Sequence, residues 1–367
     1  MALLLAALLS FQACRPATVA PRPTIPLVHA VAADTAGLGS LVARAGNRGT
    51  QGSIAIIGDP ADALLLARRF QSVDQVDNIN GHAQRDSLPD FAGEHFDVIL
   101  DAYNAPYAHF LQDGLGQEQS DSLREAAVRN ALFAWDSTCY KSASQPLPEL
   151  AKQQSKLLIF TSSLQAQWGL FDVDTLQQLC GGRSRLLSPM LTQLEDAVSA
   201  GARHLAVWSS RETRSSGVWE AVFAEKMPEE ASLQVLSPDA ALDVRTEFRQ
   251  LLRQYLATGL RLDALLLDSY QIDKAPLLSE LALIRRDGTE EDASFNKMLA
   301  PDFRILDPTS SVIRATYRLL REENLFTHRI ARPGIRYYET AESGAGLPVL
   351  VEVDASYIFS AYVPDFH

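Results

Sequence analysis

The residues best suited to bind a small ligand lie between Arg203 and Trp219. An apolar stretch there leads through a hydroxyl-rich segment into a helical pattern, and the polar and turn residues of that segment are Ser209, Ser210, Thr213, Ser216 and Gly217. The first amide groups of a helix have no partner within it, and nearby hydroxyl groups can help them hold a carboxylate or a phosphate. Serine and threonine are also ordinary helix N-caps, so the segment predicts either a small-anion site or a capped helix start.

Asp268 is a second candidate for chemistry, because it directly follows the apolar stretch 264–267. A carboxylate at the end of a strand can act as a one-sided general base if burial raises its pKa. An anionic amino acid would be repelled by this charge. The competing interpretation, which the residue types favour, is that Asp268 is a helix cap or a hydrogen-bond partner of Ser269 and the nearby backbone.

The elements that position these residues follow from an alternation of short apolar runs and longer helical patterns. This alternation is typical of an α/β fold with a mainly parallel sheet flanked by helices. The candidate strands are residues 53–57, 97–100, 156–160, 204–208, 264–267 and 303–306. The candidate helices are residues 120–134, 189–200, 216–224, 245–258 and 310–323, and the segment 335–362 is expected to add short antiparallel strands.

In open α/β sheets, ligands bind beyond the carboxyl ends of the strands. The sequence therefore predicts that functional residues lie in the segments that follow the candidate strands, which are residues 58–60, 101–107, 161–163, 209–217, 268–270 and 307–311.

Composition narrows the class of protein. The chain has 367 residues, 47% of them hydrophobic, and a formal net charge of −12, which allows one large or two smaller domains. An acidic chain lacks the clustered lysines and arginines that a broad nucleic-acid surface requires, so we expect no nucleic-acid partner. The 7 histidines have no spacing that suggests a metal site.

The N-terminus predicts export. Residues 1–13 form an apolar signal-like segment that is too short to span a bilayer. The stretch ending in Cys14 resembles a bacterial lipoprotein signal, which implies lipidation of Cys14, anchoring to a membrane and a location in the bacterial cell envelope; a plain secretory signal is the alternative. Residues 14–50 begin with several prolines and are expected to form a tether. Export would allow Cys139 and Cys180 to form a disulfide.

Four segments, taken in order, resemble the aspartate/glutamate racemase family. Asp101 precedes Pro106-Tyr107 as an aspartate precedes Pro-Tyr in the family, and the strand 156–160 leads into Thr161-Ser162-Ser163 as the family's strand leads into Cys-Asn-Thr. The hydroxyl-rich segment matches the next family motif, and residues 303–320 match the closing strand and helix. The resemblance spans residues 53–340.

The resemblance implies two similar Rossmann-like α/β domains with mainly parallel sheets that face a central cleft. We expect the first domain to comprise residues 51–188 plus 303–345 and the second to comprise residues 189–302. Residues 346–367 would form a strand-rich C-terminal tail.

Members of this family that racemise amino acids use two cysteine thiols and no cofactor. The family's cysteine positions correspond here to Thr161 and Asp268, or to Ile272 in another register, so the two-thiol mechanism is not expected. A hydroxyl is far too weak a base to replace a thiolate. Substitution by Cys139 or Cys180 is the remaining alternative, although neither follows a candidate strand.

The leading hypothesis is therefore an exported racemase-like protein that binds a small carboxylate or amino acid without racemising it. Its expected ligand contacts are Asp59, Asn104, Tyr107, Ser162, Ser163, Ser210, Thr213 and Ser269. The alternatives are an isomerase, lyase or hydrolase that uses Asp268, and a periplasmic solute-binding or scaffold protein that docks an envelope partner or a second copy.

Overall fold

The computed structural model describes residues 23–46, 49–78, 81–111, 117–238, 243–286, 288–327 and 331–362. The signal-like segment and Cys14 lie outside the described residues.

Within the described residues, the strands in chain order are β1 (Ser53–Gly58), β2 (His95–Leu100), β3 (Thr138–Cys139), β4 (Leu150–Ala151), β5 (Ser155–Phe160), β6 (Arg185–Leu187), β7 (His204–Trp208), β8 (Ser232–Leu236), β9 (Leu262–Leu267), β10 (Leu299–Leu306), β11 (Gly334–Glu342) and β12 (Pro348–Val353). The α-helices are α1 (Pro26–Ala33), α2 (Leu38–Arg44), α3 (Pro60–Ser72), α4 (Gln117–Trp135), α5 (Ser163–Cys180), α6 (Pro189–Ser199), α7 (Arg211–Ser216), α8 (Val218–Lys226), α9 (Val244–Leu256), α10 (Lys274–Ile284), α11 (Glu290–Met298), α12 (Pro308–Glu322) and α13 (Ala355–Tyr362).

The first sheet has six strands in the order β12-β11-β2-β1-β5-β6. Its neighbours pair in parallel except β11 and β12, which are antiparallel. All residues of β1 and β5 are buried, as expected for central parallel strands covered by helices on both faces. The predicted α/β fold with mainly parallel sheets is confirmed.

The second sheet has four parallel strands in the order β10-β9-β7-β8. Sequence analysis assigned residues 303–306 to the first domain, but they form the end of β10 in the second sheet, where Ile305 pairs with Leu265. The chain returns to the first domain only through α12, whose residues Val312, Ile313 and Leu320 pack in a core formed with β1 and β2. The boundary therefore lies at the start of α12.

The C-terminal segment is part of the first domain and does not form a separate tail. β12 pairs with β11 over six residue pairs, which confirms the expected antiparallel strands and extends the first sheet at its edge. α13 then packs back on the sheet, because Ile358 is fully buried in the same core as Phe96 and Val98.

The predicted tether is wrong from Pro26 onward. α1 and α2 bury Val28, Val31 and Val42 in the core that contains Ala55 and Trp135, because apolar residues three apart share one face of a helix. Among the described residues no single helix is long and apolar enough to cross a membrane; α1 and α2, bent by 85° relative to each other, satisfy length and composition only as a pair.

The two described cysteines are free thiols and do not form the predicted disulfide. Cys139 is 1% exposed and lies within the core beneath the first sheet. Burial, assisted by the nearby Glu352 carboxylate, raises the pKa of the Cys139 thiol to about 11. This thiol is therefore protonated and unreactive at neutral pH.

Candidate functional site

The carboxyl ends of the two sheets meet at Asp268. The Ser163 hydroxyl, at the start of the helix that follows β5, donates to Oδ1 of Asp268 at 2.5 Å. The Ser209 hydroxyl, at the end of β7, donates to Oδ2 at 2.6 Å. Asp268 itself follows β9, so three strand ends from two sheets converge on one carboxylate.

The surroundings of Asp268 raise its pKa. Burial of the carboxyl group raises the pKa, and the hydrogen bonds from Ser163 and Ser209 oppose this effect without cancelling it. Burial of this kind disfavours the charged form of a carboxyl group.

Thr161 directly follows β5 and lies two residues before Ser163, which contacts Asp268. The residue is 4% exposed, and its Oγ1 is buried without a hydrogen-bond partner. A Cβ atom at Gly58 would lie 1.9 Å from this oxygen, so the glycine allows β1 to approach the hydroxyl. A buried hydroxyl without a partner is costly.

Asp62 lies within electrostatic range of two other carboxylates, those of Asp59 and Asp268. Asp59 is the N-cap of α3 and accepts from the Ala61 amide at 3.2 Å. Burial, followed by repulsion from Asp59 and Asp268, raises the pKa of Asp62 to about 7. Burial and repulsion from Asp101 likewise raise the pKa of Asp59, although its hydrogen bond with Ala61 opposes them.

Asp62 was not among the predicted site residues. Its place three residues after a predicted cleft residue, Asp59, puts both on the first turn of a helix and was the available signal. The third carboxylate, Asp268, comes from a distant part of the chain. The raised pKa of Asp62 therefore could not be predicted from the sequence alone.

Asp101 is a fully buried carboxylate that holds the predicted ligand contacts Asn104 and Tyr107 in place. It accepts from four side chains, which are Asn104 at 2.9 Å, Tyr107 at 2.7 Å, Asn130 at 2.7 Å and Thr340 at 2.8 Å. The donor groups of Asn104 and Tyr107 are thus engaged within the protein. Asn130 of α4 and Thr340 of β11 tie the end of β2 to those two elements through the same carboxylate.

The other predicted hydroxyl contacts cap helices or turns. Ser162 caps α5 by accepting from the Gln165 amide at 3.4 Å, and Ser210 caps α7 by accepting from the Thr213 amide at 3.1 Å. Ser269 accepts from the Gln271 amide at 3.1 Å. The hydroxyl-rich segment was expected to form either a small-anion site or a capped helix start. Its hydrogen bonds in the structure are those of a capped helix start.

The helix predicted over residues 216–224 is preceded by the separate short helix α7. Gly217 divides α7 from α8 with a φ of 68°, a left-handed conformation that glycine adopts without strain. α7 has only six residues, so the segment does not present the long helix dipole that anion binding would favour. Ser210 is also exposed to solvent.

The residues that the structure describes contain no group of three or more histidine, cysteine or acidic side chains arranged to hold a metal ion.

Comparison with solved structures identifies similar folds. Glutamate racemase isoform RacE1 from Bacillus anthracis superimposes with a TM-score of 0.50 and 13% identity, over 80% of this chain and 90% of that chain. A glutamate racemase from Francisella tularensis in complex with D-glutamate gives a TM-score of 0.48 and 15% identity, over 81% and 91% of the two chains. An arylmalonate decarboxylase gives 0.39 and 15% identity, over 77% and 96%.

No protein-family model and no curated protein matches the sequence. The solved structures are only 13–15% identical to this chain, so their similarity shows the fold alone. The two-sheet architecture, the order of the strand ends and the superposition agree, and the chain has an aspartate/glutamate racemase-like fold.

Proposed function

We propose that this protein binds a small amino acid between the carboxyl ends of its two sheets and does not racemise it through two thiols. The observation that carries the proposal is the clamp on Asp268 by Ser163 and Ser209. Asp268 and Thr161 stand where the family resemblance places the two thiols. The protein therefore keeps a polar cleft but has different proton-transfer groups.

The remaining cysteines cannot replace those thiols. α5 has 18 residues, and at about 1.5 Å per residue it is about 27 Å long. Cys180 ends this helix, whereas Ser163 at its start contacts Asp268. Cys139 lies in β3, buried in the core beneath the first sheet.

The charges at the site favour a ligand with an amino group. The charged groups that shift the pKa values of Asp59 and Asp62 are all carboxylates. An ammonium group placed among Asp59, Asp62 and Asp268 would relieve their mutual repulsion and lower the raised pKa values. The amide groups of the first turn of α5 are suited to the ligand's carboxylate.

The same charges oppose a second carboxylate on the ligand. A dicarboxylic amino acid would bring one more negative charge towards three acids, and like charges at short range are unfavourable. Neutral amino acids are thus expected to bind more tightly than glutamate or aspartate. A carboxylic acid that lacks the amino group should bind most weakly.

We further propose that the protein acts outside the cytoplasm, in the bacterial cell envelope, anchored to a membrane by a lipid on Cys14. The support is the apolar segment 1–13 followed by Cys14. A scaffold that uses the cleft only to hold an envelope partner would share this location but would not need an amino acid.

One observation favours a second candidate, an isomerase or lyase that moves a proton. The pKa of Asp62 is about 7, and a group that titrates near neutral pH can both accept and donate a proton. With Asp268 nearby, such a protein would exchange the Cα proton of a bound amino acid. Incubation in D2O, followed by NMR of the Cα proton, separates this candidate from simple binding.

The experiment that tests the proposal is a thermal-shift panel. D- and L-alanine, D- and L-glutamate, D- and L-aspartate, propionate and glutarate are added to the full chain, since a ligand of the native state raises its melting temperature. The proposal expects the largest shift with alanine and the smallest with the two deaminated acids. Loss of that preference in Asp62→Asn but not in the exposed control Asp302→Asn would tie it to the acid cluster; no shift with any compound would reject the proposal.

A further inference from the structure

The proposed amino-acid site around Asp59, Asp62 and Asp268 is called the acidic cleft below. A cavity of about 1000 Å³ lies near it, between α3, the loop that follows β9 and the start of α12. Tyr270 lines it, and the Tyr270 hydroxyl donates to the carbonyl of Thr161 at 3.3 Å. The cavity lining includes Tyr270 but not Asp59, Asp62 or Asp268. The Tyr270 hydroxyl thus connects this cavity to Thr161, which follows β5.

The charge of the second space is opposite to that of the cleft. Four cations line it, namely Arg68 and Arg69 from α3, Arg85 from the loop before β2 and Lys274 from the start of α10. The chain as a whole carries a net charge of −12. A concentration of cations on one cavity of an acidic protein favours an anionic ligand.

The carboxylates in the same lining are already engaged. Asp74 accepts from the amides of Asp86 and Ser87, each at 3.1 Å. Asp273 caps α10 by accepting from the Ala275 amide at 2.9 Å. Asp307 caps α12 by accepting from the Ser310 amide at 2.7 Å and pairs with Lys274 at 3.2 Å.

These bonds hold the carboxylates at turns and helix starts, and the four cations of the lining outnumber its three carboxylates. Arg69 and Arg85 are both exposed to solvent, and they can turn towards a ligand without breaking a buried ion pair. Arginine presents a planar fork of donors that matches phosphate oxygens.

The start of α12 adds to the same field. Pro308, Thr309 and Ser310 line the cavity, and α12 continues for 15 residues. A helix of this length carries partial positive charge at its N-terminus, which the Asp307 carboxylate at the cap offsets only in part. This contribution supports the arginines and does not stand alone.

We propose that this cavity is a second binding site, separate from the amino-acid cleft, for a small organic phosphate. The cations and the helix start select the phosphate group. The volume exceeds the requirement of inorganic phosphate and lies at the upper end of the range for small-molecule pockets. Tyr270 and Tyr362 supply aromatic surface for the organic part.

The test is isothermal titration of the full chain with inorganic phosphate, pyrophosphate and citrate at matched ionic strength. The variants are Arg69→Gln and Arg85→Gln, singly and together, and the matched control is Arg245→Gln, an exposed arginine of α9. We expect pyrophosphate to bind more tightly than phosphate. The double variant should weaken pyrophosphate binding at least about tenfold, while the control leaves it unchanged.

Three results would overturn the proposal: no binding of phosphate or pyrophosphate at millimolar concentration, equal weakening in the Arg245→Gln control, or citrate binding as tightly as pyrophosphate. The last result would assign the cavity to polycarboxylates. Amino-acid binding measured in the double variant keeps this test apart from the proposed function, because the amino-acid cleft should respond to Asp62→Asn and not to the arginine variants.

Discussion

The Ser163 hydroxyl donates to Oδ1 of Asp268 at 2.5 Å, and this bond joins the strand ends of two different sheets. Ser163 follows β5 of the first sheet, and Asp268 follows β9 of the second. The bond therefore fixes the distance between the two walls of the cleft, and it lowers the pKa of a carboxylate that burial would otherwise raise further.

Ser163→Ala is expected to destabilise the protein. The change leaves Asp268 with one donor fewer, and an enclosed carboxyl group that loses a hydrogen-bond partner costs about 1–3 kcal/mol. Urea unfolding at pH 8 measures the difference. Ser279→Ala is the matched control, because the exposed Ser279 hydroxyl bonds only the Ala275 carbonyl of its own helix. Equal effects of the two changes would argue against a special contribution of Ser163.

Asp62 is expected to make stability depend on pH. Its pKa of about 7 in the folded protein lies above the value near 4 of an unfolded chain, so the folded state keeps a proton that the unfolded state has lost. The resulting stabilisation is fully present below about pH 4 and is lost as the pH rises to about 7.

Asp62→Asn should remove this loss and raise the free energy of unfolding at pH 8 by up to about 4 kcal/mol, since each unit of pKa difference corresponds to about 1.4 kcal/mol. Urea unfolding at pH 5 and pH 8 measures the pH dependence, with Asp302→Asn as the exposed control. A pH dependence that is the same in the wild type and in Asp62→Asn would show that Asp62 titrates normally.

Tyr107→Phe is expected to cost about 1–3 kcal/mol of stability. The variant keeps the ring but removes one of the four donors to the fully buried Asp101 carboxylate. Tyr103→Phe provides the control, since Tyr103 is 42% exposed. Guanidinium unfolding of both variants gives the comparison, and a neutral Tyr107→Phe would mean that Asp101 does not depend on this hydroxyl.

Gly58→Ala is expected to destabilise the site by about 1–3 kcal/mol, as overpacking in a core does. The new methyl group would lie 1.9 Å from Oγ1 of Thr161. Thr161→Ala removes that oxygen, so the double variant should lose less stability than the sum of the two single changes. Strict additivity in a double-mutant cycle would contradict close contact between the two positions.

Cys14→Ser is expected to release the protein from membranes. A single lipid-bearing cysteine supplies the anchor in a lipoprotein, and serine cannot take its place. Fractionation of a bacterial host, with metabolic labelling by a tritiated fatty acid, measures both location and lipidation. Unlabelled wild-type protein found among the soluble envelope proteins would support a plain secretory signal instead.

The positions of Thr161 and Asp268 could be predicted because each directly follows an apolar run that becomes a buried parallel strand. The hydrogen bonds of Asn104 and Tyr107 to Asp101 could not be predicted in the same way. Two of the other donors to Asp101 come from the distant residues Asn130 and Thr340. Local sequence describes strand ends well, but it does not reveal which distant side chains will complete a buried hydrogen-bond set.

The predicted position of the domain boundary was wrong for a related reason. Residues 303–306 have the pattern of any buried strand, and only their pairing with β9 assigns them to the second sheet. Residues 26–44 were misjudged because the prolines before them suggested an extended chain. The apolar spacing of Val28 and Val31, which places both on one helix face, was the stronger signal.

The central claim is that the cleft recognises the amino group of a small amino acid through Asp59, Asp62 and Asp268. Calorimetric titration of the full chain at pH 8 with alanine and then with propionate tests it most directly, because the two ligands share a carboxylate and differ in the ammonium group. The account predicts saturable binding of at least one alanine enantiomer and no measurable binding of propionate. Equal binding of the two ligands, or no binding of either, would contradict it.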